Sequence, residues 1–223
     1  MLAMALASPL PAICATPGTA SAVKKTAKKK VTSTTGKHAP TEGVATTNAV
    51  AVDLGLPSGT KWADRNVGAE APHAYGGLYR YGNKGKAGGE GCPKKNIAGT
   101  ALDVATKKMG AKWQTPTQAQ IEELWNETTH THDVVEGVKG FRLTGPNGNS
   151  IFLPFTGTMY NYGRSQAGEF AFYTTGELTE SWMYQVGVEV IALELWEKDD
   201  NTFVPKIGST SIGEGNPIRA VLK

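Results

Sequence analysis

Two histidines two positions apart, His130 and His132, precede Asp133. On a strand, residues two apart project from one face, so this triplet could bring two imidazoles to one cation. No fourth ligand accompanies them, and an exposed polar strand is the competing reading. The loop Gly85-Lys-Ala-Gly-Gly-Glu-Gly91 has a glycine density suited to cradling phosphate. It lacks the G-K-[ST] ending and the strand-to-helix setting that such a loop requires, so a surface loop is expected. Serine, histidine and aspartate all occur, but at no spacing that suggests a nucleophile with its base. Among the two cysteines, Cys14 falls in an apolar leader and Cys92 in a Gly/Lys-rich loop. If the leader is removed, Cys92 has no disulfide partner. No enzyme, cofactor or metal is expected. What remains is an aromatic and polar set, from which Tyr160, Asn161, Arg164, Tyr173, Trp182 and Tyr184 are taken as candidate ligand-binding residues. Aromatic rings flanked by Asn and Arg give large contact area for little entropy loss. Strand alternation could equally assign part of this set to a core.

The elements that must position these residues change along the chain. Residues 50–54 read as a strand ended by Gly55, Pro57 and Gly59, with short strands expected at 61–63 and 78–81 and a loop at 82–99. Thr100 is the expected N-cap of a helix over 101–109, which Gly110 ends. A second helix is expected after Thr115 as N-cap, with Pro116 in the first turn and Gln118 completing a capping box. Ile121, Leu124, Trp125 and Thr128 share its inner face. Beyond it the chain reads as β: 141–144 and 150–153 flank an Asn-Gly turn signal, and 170–174, 182–195, 203–207 and 217–222 follow. In 182–195, Val186, Val188, Val190 and Ala192 share one parity. Two early helices and mainly antiparallel strands later make the class α+β.

Charge and aromatics divide the 223 residues sharply. The net charge is +3, from 23 basic and 20 acidic residues, yet residues 23–50 alone hold six lysines against Glu42. That leaves 17 basic and 19 acidic residues for 51–223, too little positive charge for a nucleic-acid-binding body. All the aromatics lie from Trp62 onward. Residues 1–22 read as a signal peptide cleaved after Ala22, with lipidation at Cys14 as the alternative. Their apolar run is too short to span a membrane. Residues 23–50 read as a basic flexible linker, either a solvated spacer or a weak electrostatic hold on an anionic envelope surface. Residues 51–223 form the folded domain.

The run Val52-Asp-Leu-Gly-Leu-Pro-Ser-Gly-Thr-Lys-Trp-Ala63 with Asn66-Val-Gly-Ala69 resembles the opening of a paralogous domain abundant in secreted proteins of Bacteroidetes and Fibrobacter. The segments Asn96-Ile-Ala-Gly-Thr-Ala-Leu-Asp-Val-Ala105, Gly110-Ala-Lys-Trp113 and Thr144-Gly-Pro-Asn-Gly-Asn-Ser-Ile-Phe-Leu-Pro154 are similar to its middle. Three motifs depart from it. W-R-M-P-T appears as Trp113-Gln-Thr-Pro-Thr117, Y-W-S-S-T as Phe172-Tyr-Thr-Thr-Gly176, and the ending is reduced to Gly215-Asn-Pro-Ile-Arg-Ala-Val221. The resemblance implies a C-type-lectin-like fold, similar to that of the formylglycine-generating enzyme, which joins N- and C-terminal strands and presents loops on one side. That enzyme's chemistry needs a cysteine pair, which Cys92 alone cannot supply. The calcium motifs of true C-type lectins have no counterpart in Gly145-Pro-Asn147 or Trp125-Asn-Glu127, where oxygens do not converge. The expected function is therefore exported or cell-surface binding or adhesion toward a glycan or protein, or alternatively a structural subunit of a surface fibre or envelope complex.

Overall fold

A computed structural model describes residues 49–161, 163–183, 186–197 and 204–223. The expected signal peptide, the linker and Cys14 lie outside the described residues, except for the linker's last two positions. Within them the fold is α+β, with two α-helices and antiparallel strand pairs throughout. The strands β1 (Ala51–Asp53), β2 (Lys61–Ala63), β12 (Val221–Leu222) and β3 (Trp113–Gln114) form one sheet in that order. The last strand thus lies between β2 and β3, with Val221 opposite both Trp62 and Gln114. The helices α1 (Val104–Met109) and α2 (Gln118–Glu127) flank β3 in sequence. Then come β4 (Thr129–Val135), β5 (Val138–Thr144) and β6 (Ser150–Pro154) as a meander, and the small pair β7 (Thr158–Met159) and β8 (Arg164–Ser165). The long hairpin β9 (Phe170–Glu180) and β10 (Val188–Trp196) carries β11 (Lys206–Ser211) on its far side.

The β5–β6 hairpin forms as the Asn-Gly signal predicts, and its connection is docked. Asn147 and Asn149 each donate a side-chain N–H to the Asp53 carbonyl, at 3.0 and 2.8 Å. A side chain at Gly145 would collide with the Leu54 backbone, so only glycine permits this approach.

Both helices start later than their sequence signals suggest, for one shared reason. Asp103, fully buried, accepts from the backbone N–H groups of Gly99, Ala105, Thr106 and Thr115 and from the Thr115 hydroxyl. It, and not Thr100, is the N-cap of α1. Thr100 instead donates its hydroxyl to Ile97 within a turn. Because Thr115 is held by Asp103, α2 uses the overlapping T-x-x-Q match two residues on. Thr117 is the N-cap and Gln120 closes the capping box. Pro116 therefore precedes the cap. The strand expected at 78–81 is only an isolated bridge, Tyr79 to Asn216, followed by a 3₁₀ turn at Tyr81–Asn83. β10 begins at Val188, so Trp182 is left in the hairpin connection.

One core draws on every larger sheet. Leu54, Trp62, Ile121, Leu124, Phe141, Leu153, Phe155, Tyr173, Leu193, Leu195 and Val221 pack in a single cluster. Emptying such a site, as in Leu→Ala, typically costs about 2–5 kcal/mol. The parity expected for 186–192 persists along β10, whose ladder to β11 runs unbroken from Glu189 to Glu194; the register shift lies in the pairing with β9, and β10 is buried on both faces. Val190 packs with Tyr81, Cys92, Ile97 and Ile212 in a separate cluster, whereas Leu193 and Leu195 join the main core.

Candidate functional site

The segments around Arg80, Met159 and Gly215 are fastened to one another largely by backbone groups. Tyr79 and Asn216 exchange both backbone hydrogen bonds, as do Met159 and Gly215. Arg80 bridges them: its Nε donates to the Gly213 carbonyl at 2.9 Å and its Nη2 to the Tyr160 carbonyl at 2.6 Å. The β9–β10 connection closes through Ser181 N–H to Gly187 O at 3.0 Å. Val186 at its base packs beside Ile212, and Gly89 lies close to both.

From this scaffold a few side chains project outward. Trp182 is 93% exposed and the adjacent Met183 67%. Tyr160 is 51% exposed with its own carbonyl pinned by Arg80, and Asn161 beside it is exposed. A large ring left in water exposes apolar area that contact with another surface would remove from solvent. Sequence reasoning missed Met183 and Arg80. The Met183 signal was its place next to Trp182, obscured by reading 182–195 as one strand. Nothing in the sequence distinguishes Arg80 from other surface arginines.

The remaining candidates separate. Tyr173 is a core residue, 1% exposed, so its assignment to a binding face is corrected. Its hydroxyl donates to the Pro154 carbonyl at 2.9 Å and accepts from Asn66 Nδ2 at 3.2 Å. Burial pushes its pKa up to about 12, against the pull of Arg219 and the Asn66 hydrogen bond. Alternation decides this: Tyr173 pairs with Leu193, whose face is the main core. Arg164 has its guanidinium engaged by the chain itself. Nη1 donates to Thr156 O at 2.6 Å and Nη2 to Gly76 O at 2.5 Å, with the group 5.2 Å from the Tyr75 ring centroid. These two nitrogens hold the segments around Thr156 and Gly76, while the residue itself is exposed. Tyr184 and Tyr162 lie outside the described residues.

The chemical motifs resolve as follows. His130 stacks flat on Trp125, centroids 3.7 Å apart, and its Nε2 is 3.1 Å from the Trp125 carbonyl oxygen. His132 leans on Phe141 at 4.2 Å. The two imidazoles thus rest on different aromatic platforms. Among the described residues no group of three His, Cys, Asp or Glu side chains could hold a metal ion. A shallow depression of about 280 Å³ beside them is lined by His132, Asp133, Val134, Lys139, Phe155 and Glu197. Within it Lys139 and Glu197 pair at 2.8 Å. In the glycine loop, N–H groups that would face a phosphate are already used: Lys86 donates to Glu90 O, Gly89 to Lys86 O and Cys92 to Gly89 O. The Cys92 thiol is buried, and burial pushes its pKa up despite the nearby Arg80 charge. A thiol held protonated is a poor nucleophile.

No helix among the described residues is long and apolar enough to cross a membrane. Comparison of the chain with protein-family models, with curated proteins and with solved structures found no match in any of the three.

Proposed function

We propose that the domain is a non-catalytic, C-type-lectin-like binding module that is exported and recognises a surface glycan or protein through its loop end. The reading is carried by Trp182, 93% exposed on a hairpin connection anchored at its base. Tyr160 and Asn161, which follow β7, complete the proposed contact set. A tryptophan offers a large rigid ring on only two side-chain torsions, so it loses little entropy on binding, whether it stacks on a sugar ring or fills a protein pocket. Two further features support the lectin-like reading. The last strand, β12, pairs with β2 near the start of the domain, and the loops at residues 80–92 and 211–216 are irregular and mutually braced. These are features that the resemblance of residues 51–223 implies.

The test is ligand capture by the full chain on arrays of surface glycans and on isolated cell-envelope proteins, followed by Trp182→Ala. Loss of about 1.5–3 kcal/mol of binding, roughly ten- to a hundredfold, is expected with no change in thermal midpoint. A ligand held equally well by Trp182→Ala and by Tyr160→Ala would remove the loop end from consideration.

A further inference from the structure

The strand β4 is an edge of the β4–β5–β6 sheet, and Thr129 through His132 are all exposed. Its connection to β5 is the two-residue turn Glu136–Gly137, with φ of 50° and 79°. Such a turn closes on a hydrogen-bonded pair, here Val135 with Val138. Alternation then directs the N–H and C=O groups of Asp133, Thr131 and Thr129 toward β5, and those of Val134, His132 and His130 away from it. The Val134 N–H is taken by the adjacent Asp133 carboxylate at 2.7 Å. Among the described residues, no backbone hydrogen bond from another element reaches His130 or His132. Long open edges are usually shortened, bulged or covered.

We propose that β4 pairs antiparallel with β4 of a second copy of this chain, with His132 on the two-fold axis. His132 is the middle residue of the seven, so this register aligns the whole strand and sets outward-directed residues opposite one another. The side chains are then self-complementary. Thr131 lies opposite Asp133 of the second copy, a hydroxyl donor facing a carboxylate, with Arg142 next along the same row. Val134, 60% exposed, lies opposite His130 of the second copy and covers its stack on Trp125. Moving the axis to Asp133 would set two carboxylates against each other. Moving it to Thr131 would push Val134 beyond the partner strand. The Asp133 carboxylate, on forming the pair, exchanges the Val134 N–H for the Thr131 hydroxyl of the second copy, and Val134 joins the new ladder. The pairing is independent of the loop-end reading, and Trp182→Ala leaves it intact.

Sedimentation equilibrium of the full chain near neutral pH, over a wide concentration range, is expected to show a reversible monomer–dimer equilibrium. His132→Pro removes an outward N–H and obstructs the incoming strand without deleting a bond to β5. It is expected to be monomeric throughout while keeping a cooperative thermal transition. Thr131→Asp faces Asp133 of the second copy at two symmetric positions and should weaken the dimer about tenfold. The exchange Thr131→Asp with Asp133→Thr should restore it, because complementarity returns and Arg142, diagonal to Asp133 in the wild type, gains an acid directly opposite. A wild-type chain that stays monomeric overturns the proposal, as does a dimer indifferent to both His132→Pro and Thr131→Asp. A dimer that Thr131→Asp weakens but the exchange does not rescue overturns the register. If His132→Pro fails to fold, the Thr131 pair decides.

Discussion

Arg219→Met removes a guanidinium that is 1% exposed and ties three segments together. Its Nε donates to Asn66 Oδ1 at 2.9 Å, Nη1 to Ala63 O at 3.0 Å and Nη2 to Phe152 O at 2.6 Å. These acceptors are all uncharged, and burial lowers the guanidinium pKa against the pull of Tyr173 and Asp64. Leaving three buried acceptors without a donor costs about 1–3 kcal/mol each. Methionine fills similar volume and no charge need be desolvated, which offsets several kcal/mol of that sum. The net expectation is a loss of about 3–5 kcal/mol, or roughly 6–20 °C in thermal midpoint for a domain of this size. Guanidinium unfolding followed by circular dichroism measures it. Arg219→Lys keeps the charge but not the fork, and should still lose about 2–4 kcal/mol. A methionine variant within about 1 kcal/mol of wild type would refute the reasoning, since the guanidinium would then be no better than an apolar filler.

Tyr173 ionises at about 12 in the fold against an ordinary 10. Its contribution is therefore fully present below about pH 10 and is lost as pH rises through about 12, about 2–3 kcal/mol in all. Tyr173→Phe should flatten that alkaline decline in stability–pH titrations. Asp103→Ala deprives several buried N–H donors of their acceptor and should cost about 2–4 kcal/mol, whereas Thr100→Ala, outside the cap, should cost under about 1 kcal/mol in the same assay. Gln120→Ala should lose about 1 kcal/mol through the capping box and leave α2 in register, while Gln118→Ala loses less.

Local chemistry was legible where a short segment contains its own reason. The β5–β6 hairpin follows from one turn signal, and the inner face of α2 from Ile121 and Leu124 at helical spacing. Where a distant group arbitrates, the sequence is ambiguous. The segment from Thr115 to Gln120 contains two overlapping capping boxes, and Asp103, twelve residues away from Thr115, selects the second. The candidate site divides the same way. Trp182 and Tyr173 look alike as aromatics in β-rich sequence. Only the partner strand shows that Tyr173 opposes Leu193 over the core while Trp182 has left the ladder. Arg164 and Arg219 are likewise indistinguishable from surface arginines until their backbone acceptors come into view.

The placement of β12 between β2 and β3 governs the order of events during synthesis. The bonds from Arg219 to Asn66 and Ala63 span 153 and 156 residues. Contacts of that range form late, since the intervening chain must be ordered first. Until residues 217–223 are available, β2 and β3 have a gap between them and the buried acceptors at Ala63 and Phe152 lack their donor. The nascent domain therefore has no complete core to lock until residues 217–223 arrive. Removing those residues leaves a chain that cannot close, and a bulky fusion placed directly after Leu222 would crowd the strand that completes the fold.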